Sequence, residues 1–252
     1  MKTIICLLGM LLPVAAAQAD VWDGADDQPK RPHDLTHGAD EAHDLAARPG
    51  PIADVDWSRV PQEAYSSYEV TIDGVTSQVQ KIELTRFDAS GTTLLQTALP
   101  PNVVGGTSRV LEWMNGDTPG FAMIRVQGAA CDVTCGQDAA YRIRGAETTI
   151  SVPRFNNSAT QVTVLLVQNT RPTSRSASVY FWNSTGALVG TSSLTIAAHG
   201  QAVVNTSTIV PGFSGSITIA HDAGYGGLVA KAVALEPATG FSFDHDGTYK
   251  PR

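Results

Sequence analysis

The sequence is short of charge, of aromatic rings and of cysteine. Of its 252 residues 16% are charged, 7% are aromatic and three are cysteines. So little charge excludes a coiled coil and a highly charged disordered chain, both of which need Lys and Glu in quantity. Lys and Arg number 17 against 24 Asp and Glu, a net charge of −7. With acid in excess and no basic cluster, nucleic-acid binding is excluded, because affinity for phosphate backbones comes from grouped cations. Beyond residue 19 no apolar run approaches the ~20 residues of a membrane span. No stretch there sustains a 3.6-residue period, so helical bundles are excluded, and no Gly-X-Y repeat suggests collagen. Phosphate loops and nucleophile elbows are missing too. Gly212-Phe213-Ser214-Gly215-Ser216 misses Gly-x-Ser-x-Gly by one position and reads as a hairpin turn. The expectation is a protein without active-site chemistry.

What is plentiful is Thr (25 residues), Gly (23) and Ser (18), in a chain long enough for one large or two ordinary domains. Residues 1–19 read as a secretory signal peptide. Lys2 supplies the positive start, Ile4 to Ala16 is apolar, and Ala17-Gln18-Ala19 predicts cleavage before Asp20. The expected location is therefore secreted, extracellular or periplasmic. Cys6 leaves with the leader, and Cys131 and Cys135 remain as a close pair. In an exported chain such a pair predicts a disulfide closing a small loop, and no further soft ligand stands near enough in sequence to make a metal site of it.

Charge divides the mature chain. Residues 20–56 carry ten acidic against three basic residues, while residues 151–252 carry four against six. Residues 20–53 read as an acidic lead-in, extended or irregular, whose later part joins the first sheet. It contains an echo ten residues apart, His33-Asp34-Leu35 and His43-Asp44-Leu45. From 54 to 150 apolar residues alternate in short strands, such as Tyr68–Asp73 and Ile82–Phe87, separated by Gly, Asn and Asp turns. From 151 to 246 the strands are stronger, with Val162–Gln168, Ala177–Trp182 and Leu228–Leu235 among them. Pro153 and the polar run Arg154–Ser158 read as the linker, and 247–252 as a tail. The fold class expected is all-β, two consecutive antiparallel β-sandwiches, the second immunoglobulin-like in architecture.

Asp54-Val55-Asp56-Trp57, then Tyr68–Ile72, then Ile82–Phe87 with Asp88-Ala89-Ser90-Gly91, and the late Phe121–Val126 with Tyr141-Arg142-Ile143, resemble the bacterial pre-peptidase C-terminal (PPC) domain over about residues 34–147. The second unit is similar to a module recurring in exported bacterial proteins. The resemblance implies a jelly-roll-like, non-catalytic β-module of the kind appended to secreted peptidases and surface proteins.

Three groups of side chains carry candidate chemistry. Asp54 and Asp56 alternate along an extended segment and so face one way, offering oxygens to Ca²⁺, with Asp20, Asp23, Asp26 and Asp27 as further donors. Tyr180 and Trp182 share a face of one strand and could stack on a sugar ring. His33, His37 and His43 with Asp34, Asp40, Glu41 and Asp44 hold the donor types of a transition-metal site. His33 and His37 would share a face only on a helix, which Pro32 and Gly38 confine to about one turn, so this segment reads as exposed and solvated. Three glycosylation-like triplets, at Asn156, Asn183 and Asn205, are expected by chance in so Thr/Ser-rich a chain. The functional expectation is a binding or structural accessory at the cell exterior, with an extracellular protein or polysaccharide as partner. The alternatives are a hydrolase-associated or carbohydrate-binding module and a calcium-stabilised spacer.

Overall fold

The computed structural model describes residues 25–45, 55–73, 82–98, 108–128, 140–158 and 160–252. Residues 1–19, expected as a signal peptide, and Asp20, Asp23, Asp54, Cys131 and Cys135 lie outside the described residues. Within them the chain is all-β, relieved by one 3-10 turn at Thr206–Thr208.

The first nine strands are β1 (His33–Asp34), β2 (Glu41–Asp44), β3 (Val55–Gln62), β4 (Ser67–Asp73), β5 (Ile82–Phe87), β6 (Leu94–Thr97), β7 (Arg109–Met114), β8 (Gly120–Gly128) and β9 (Ala140–Glu147). They form two sheets, ordered β1-β3-β8-β5-β6 and β2-β9-β4-β7. Their inner faces share one core that includes Val60, Val70, Ile72, Leu84, Leu111, Ile124 and Ile143. Alternation explains the layering. In β4, Val70 and Ile72 are fully buried while Thr71 between them is half-buried. The β5–β6 hairpin closes at Asp88, whose carboxylate accepts the amides of Thr92 and Thr93 and the Ser90 hydroxyl. Those bonds hold its carboxyl down at about 2. Gly91 completes the turn at φ 72°, with Pro29 of the lead-in so close that a Cβ would fall 2.6 Å from its ring.

The later part of the lead-in joins the sheets as expected, but its histidine-bearing stretch is not the exposed, solvated segment its composition predicts. β1 pairs in parallel with β3, the one parallel strand pairing described, and β2 pairs antiparallel with β9. The segment thus enters both sheets, crossing between them at their shared edge. Leu35 and Leu45, the leucines of the two His-Asp-Leu echoes, are buried in the core. Each echo is a short strand signal, since His and Leu two residues apart face one way and the Asp the other.

The remaining strands are β10 (Ile150–Asn156), β11 (Val162–Asn169), β12 (Arg175–Asn183), β13 (Leu188–Ile196), β14 (Gln201–Asn205), β15 (Ser214–His221), β16 (Leu228–Glu236), β17 (Phe241–Asp246) and β18 (Thr248–Tyr249). They make sheets ordered β13-β12-β15-β10-β18 and β14-β11-β16-β17 around a second core that includes Phe155, Leu165, Val179, Phe181, Ile217 and Ile219. Two expectations fail here. Pro153 is not in a linker but inside β10, where the register shifts between Val152 and Phe155, a bulge that spares the ladder its missing N–H. Residues 247–252 are not a free tail. β18 pairs with β10, and Arg252 reaches Glu69 on β4.

All three triplet asparagine regions are structural. Asn156 donates to the Gln161 side chain and accepts the Ser158 amide, while Asn157 beside it is buried, accepting from the Thr163 amide and the Thr206 hydroxyl and donating to the Val210 carbonyl. Asn183 accepts the Thr185 and Ala187 amides across its turn, and Asn205 caps the 3-10 turn.

Candidate functional site

The two sandwiches meet through a short, fully bonded junction. The Thr148 amide donates to the Ser67 carbonyl and the Ser67 amide donates to the Thr149 hydroxyl, leaving no slack between β9 and β10. Around it, ionic groups of the two units interlock. Glu69 on β4 accepts from Arg252 at 2.5 Å and from the Tyr225 amide at 3.1 Å, while the Arg252 guanidinium lies 3.9 Å from the Tyr225 ring centre. Glu112 on β7 pairs with Arg175 on β12 at 2.8 Å. Burial pushes the Glu112 carboxyl up, opposed by the neighbouring Arg175 and Arg171 cations. Gly224 packs against both carboxylates at φ 68°, where a Cβ would collide with Glu69 and Glu112. The His37 Nδ1 accepts the Glu147 amide and its Nε2 donates to the Pro251 carbonyl, binding lead-in to C-terminus. Behind this surface His221 is fully buried. Burial, with Arg171 and Arg175 nearby, depresses its pKa to about 4 despite a bond to the Thr148 backbone. Its Nδ1 accepts the Ala223 amide, and Tyr249, itself raised to about 12 by burial, stands 3.3 Å from Nε2.

This contact decides the position of Tyr180 and Trp182. They do share the outer face of β12, and the sugar-stacking expectation needs that face open. Instead Tyr65 of the first sandwich stands edge-on to both rings, at 4.8 and 5.2 Å, and Trp182 donates to the Thr218 hydroxyl. Both rings are half-buried in the contact between sandwiches. The pair is part of the seam.

Asp56 points inward from β3, is buried, and accepts a 2.5 Å hydrogen bond from Tyr141 on β9 in the opposite sheet. Its partner in the calcium expectation, Asp54, lies outside the described residues. The grouping of metal-ligating donors among the described residues is a different one. His33 on β1, Glu41 and His43 on β2 bring their donor atoms within 4.8 Å of one another. His33 Nε2 lies 2.5 Å and His43 Nε2 3.8 Å from Glu41 Oε2. The His43 side chain is 0% exposed and its ring stacks on Tyr141 at 5.5 Å. His37, Asp34 and Asp40 are drawn elsewhere, Asp34 and Asp40 to ion pairs with Arg59 and Arg142. The Arg59 hydrogen bond holds the Asp34 carboxyl below its ordinary range.

One surface was missed in the sequence. Cross-strand neighbours on the outer face of the β14-β11-β16-β17 sheet are Val203, Leu166 and Lys231, then Val164 and Val233, then Val162 and Leu235, with Val229 beside Gln168. Val203, Val229 and Leu235 are 65%, 51% and 39% exposed. Gln168, Gln201 and Asn205 border the patch, and Lys231, between Val229 and Val233 on β16, interrupts it and bridges to Asp244 and Asp246 on β17. The signal was present, because Val162–Val167 and Leu228–Leu235 are apolar at most positions of both alternating sets, Thr163 and Lys231 being the exceptions. Such runs mark strands covered on both faces, and a two-layer sandwich covers one.

No family model and no curated protein matches the chain. Among solved structures it is similar to a glycosyl hydrolase family 2 member from Bacteroides cellulosilyticus, at 11% identity and TM-score 0.23, over 81% of this chain and 31% of that one. It is also similar to a Paenibacillus xanthan lyase, at 14% identity and TM-score 0.27, over 86% and 25%. A β-glucuronidase from glycoside hydrolase family 2 gives 9% and 0.20, over 85% and 25%. The chain spans between a quarter and a third of the length of these structures, and likeness at this level transfers neither a site nor an activity. Among the described residues, no helix is long and apolar enough to cross a membrane.

Proposed function

We propose that this protein is an exported, non-catalytic accessory, a PPC-like sandwich followed by a second one, which binds another extracellular protein through the outer face of the β14-β11-β16-β17 sheet. One observation carries the reading: six aliphatic side chains, Val162, Val164, Leu166, Val203, Val233 and Leu235, are neighbours on one outward face, with Val229 beyond Lys231 on the same strand and polar groups around them. Single exposed aliphatics are ordinary, but a contiguous patch rimmed by polar groups has the anatomy of a protein interface. Its chemistry selects a protein over a polysaccharide, since sugar rings are held by aromatic platforms and these residues are aliphatic. The ionic seam supports the accessory role, because it holds the two sandwiches as one body that presents the patch in a fixed orientation.

The test compares the purified mature protein with a Val203→Asp/Leu235→Asp variant against the exported proteins of its source and a panel of polysaccharides. A defined protein partner, retained by the parent and lost by the variant, is the expected result. Retention on polysaccharide untouched by the two substitutions, hydrolytic turnover, or a homodimer formed through this face would each overturn the reading.

A further inference from the structure

We propose that His33, Glu41 and His43 bind a divalent transition-metal ion of the Zn²⁺ type, which ties the two sheets of the first sandwich together at the edge where the lead-in crosses. The donors come from two short strands in different sheets. β1 holds His33 against β3, and β2 holds Glu41 and His43 against β9. The donor atoms all lie within 4.8 Å of one another. A tetrahedral ion with bonds of about 2.0–2.1 Å sets its ligands roughly 3.3–3.5 Å apart. The Glu41–His43 separation of 3.8 Å is close to that spacing, and the 2.5 Å His33–Glu41 contact needs to open by about an ångström to admit the ion.

The donor set chooses the ion. Two imidazoles and one carboxylate suit Zn²⁺ and its first-row neighbours, with a fourth position left for water. Calcium and magnesium prefer all-oxygen shells of six or more ligands. Burial favours binding as well. His43 has a side chain with 0% exposure, and both other side chains are under one-fifth exposed, so the ion would sit in a low-dielectric edge beside the Glu41 charge. Tyr141 fixes the orientation of the His43 ring by stacking on it, and its own hydroxyl is anchored on Asp56. Such supporting contacts tune metal sites in general. The ion would complete what β1 and β2, of two and four residues, do weakly by hydrogen bonding alone.

The experiment uses the full mature chain, made without a polyhistidine tag, stripped with a chelator and returned to chelator-free buffer. Titration against a competing chromophoric chelator is expected to give one Zn²⁺ per chain with a Kd of about 1 μM or tighter. Co²⁺ in its place is expected to show visible d–d bands of a four- or five-coordinate site. His33→Ala and Glu41→Gln are expected to weaken Zn²⁺ by at least about tenfold while keeping the near-ultraviolet circular dichroism of the metal-free parent. Both positions are partly exposed, so they decide the matter even if His43→Ala fails to fold. Zn²⁺ is also expected to raise the Tm of the parent and leave that of His33→Ala in place. Absence of Zn²⁺ binding at hundreds of micromolar, one equivalent held at parental affinity in both variants, or Ca²⁺ displacing Zn²⁺ would overturn the proposal.

Discussion

The second sandwich has two outer faces built on opposite principles. On the β13-β12-β15-β10-β18 sheet, Ser176, Ser178, Thr191, Ser193, Thr195 and Thr218 surround Tyr180 and Trp182. The Thr218 hydroxyl accepts from Trp182, and the two rings are met by Tyr65. On the β14-β11-β16-β17 sheet the outward positions are mainly Val and Leu, interrupted by Lys231, and Val203, Val229 and Leu235 among them are exposed. Both sheets bury their inner faces in one core, so the core does not account for the difference. One face is finished by the protein itself, and the other has the composition of a surface that is finished by something else.

The largest effect expected from this contrast comes from neighbouring leucines on β11. Leu165 is fully buried between the sheets and Leu166 points outward. Leu165→Ala is expected to cost about 2–5 kcal/mol in urea unfolding, and Leu166→Ala less than about 1 kcal/mol. Equal costs would mean that the outer face is as packed as the inner one, and would break the comparison.

The seam is expected to be sensitive to acid. The His221 pKa is depressed to about 4 from an ordinary 6.5. As pH falls below about 6.5 the unfolded chain takes up the proton and the native state does not. Its contribution to stability is therefore complete above pH 6.5, declines between 6.5 and 4, and levels off below, a loss on the order of 3 kcal/mol. Urea unfolding at a series of pH values checks this. His221→Gln is expected to flatten the profile across that window even though it is less stable at pH 7.5.

Opening the finished face is a smaller perturbation. Tyr65→Ala removes two edge-to-face aromatic contacts and is expected to cost about 1–2 kcal/mol. It should also red-shift tryptophan emission as Trp182 becomes hydrated, and an unchanged spectrum would detach the ring from the seam. The smallest effect belongs to the open face. Val203→Asp is expected to leave Tm within the equivalent of about 0.5 kcal/mol, because a side chain that is 65% exposed loses little on becoming polar. A large loss would show that Val203 serves this chain's own stability rather than a partner.

Much of the strand pattern could be read before the structure, because alternation is local. Val162–Gln168 carries a run of Val and Leu, and Ile82–Phe87 alternates Ile82 and Leu84 with polar residues before Thr85 and Phe87, and each pattern specifies a strand without help from distant residues. The short strands could not. β1 and β18, two residues each, have no periodicity to read and exist because an edge of a sheet is there to receive them. Pro153 misled for the same reason: proline usually punctuates, and a bulge in β10 makes room for it. The candidate sites were legible in residue type and illegible in grouping. The three histidines of the lead-in were visible, but along an extended chain nothing joins His33 to His43 and drops His37. That selection is made by the crossing from one sheet to the other.

The order of residues alone determined that this chain layers β-sheets, because a period of two is satisfied one residue at a time and needs no distant partner. It also determined that some strands are apolar on both sides. Tertiary structure decided which of those sides is covered, which aromatic rings end in a seam and which carboxylates face an imidazole. Those outcomes depend on which strand edges and sheet faces come together, and contacts between residues as far apart as Glu69 and Arg252 leave no local pattern to read.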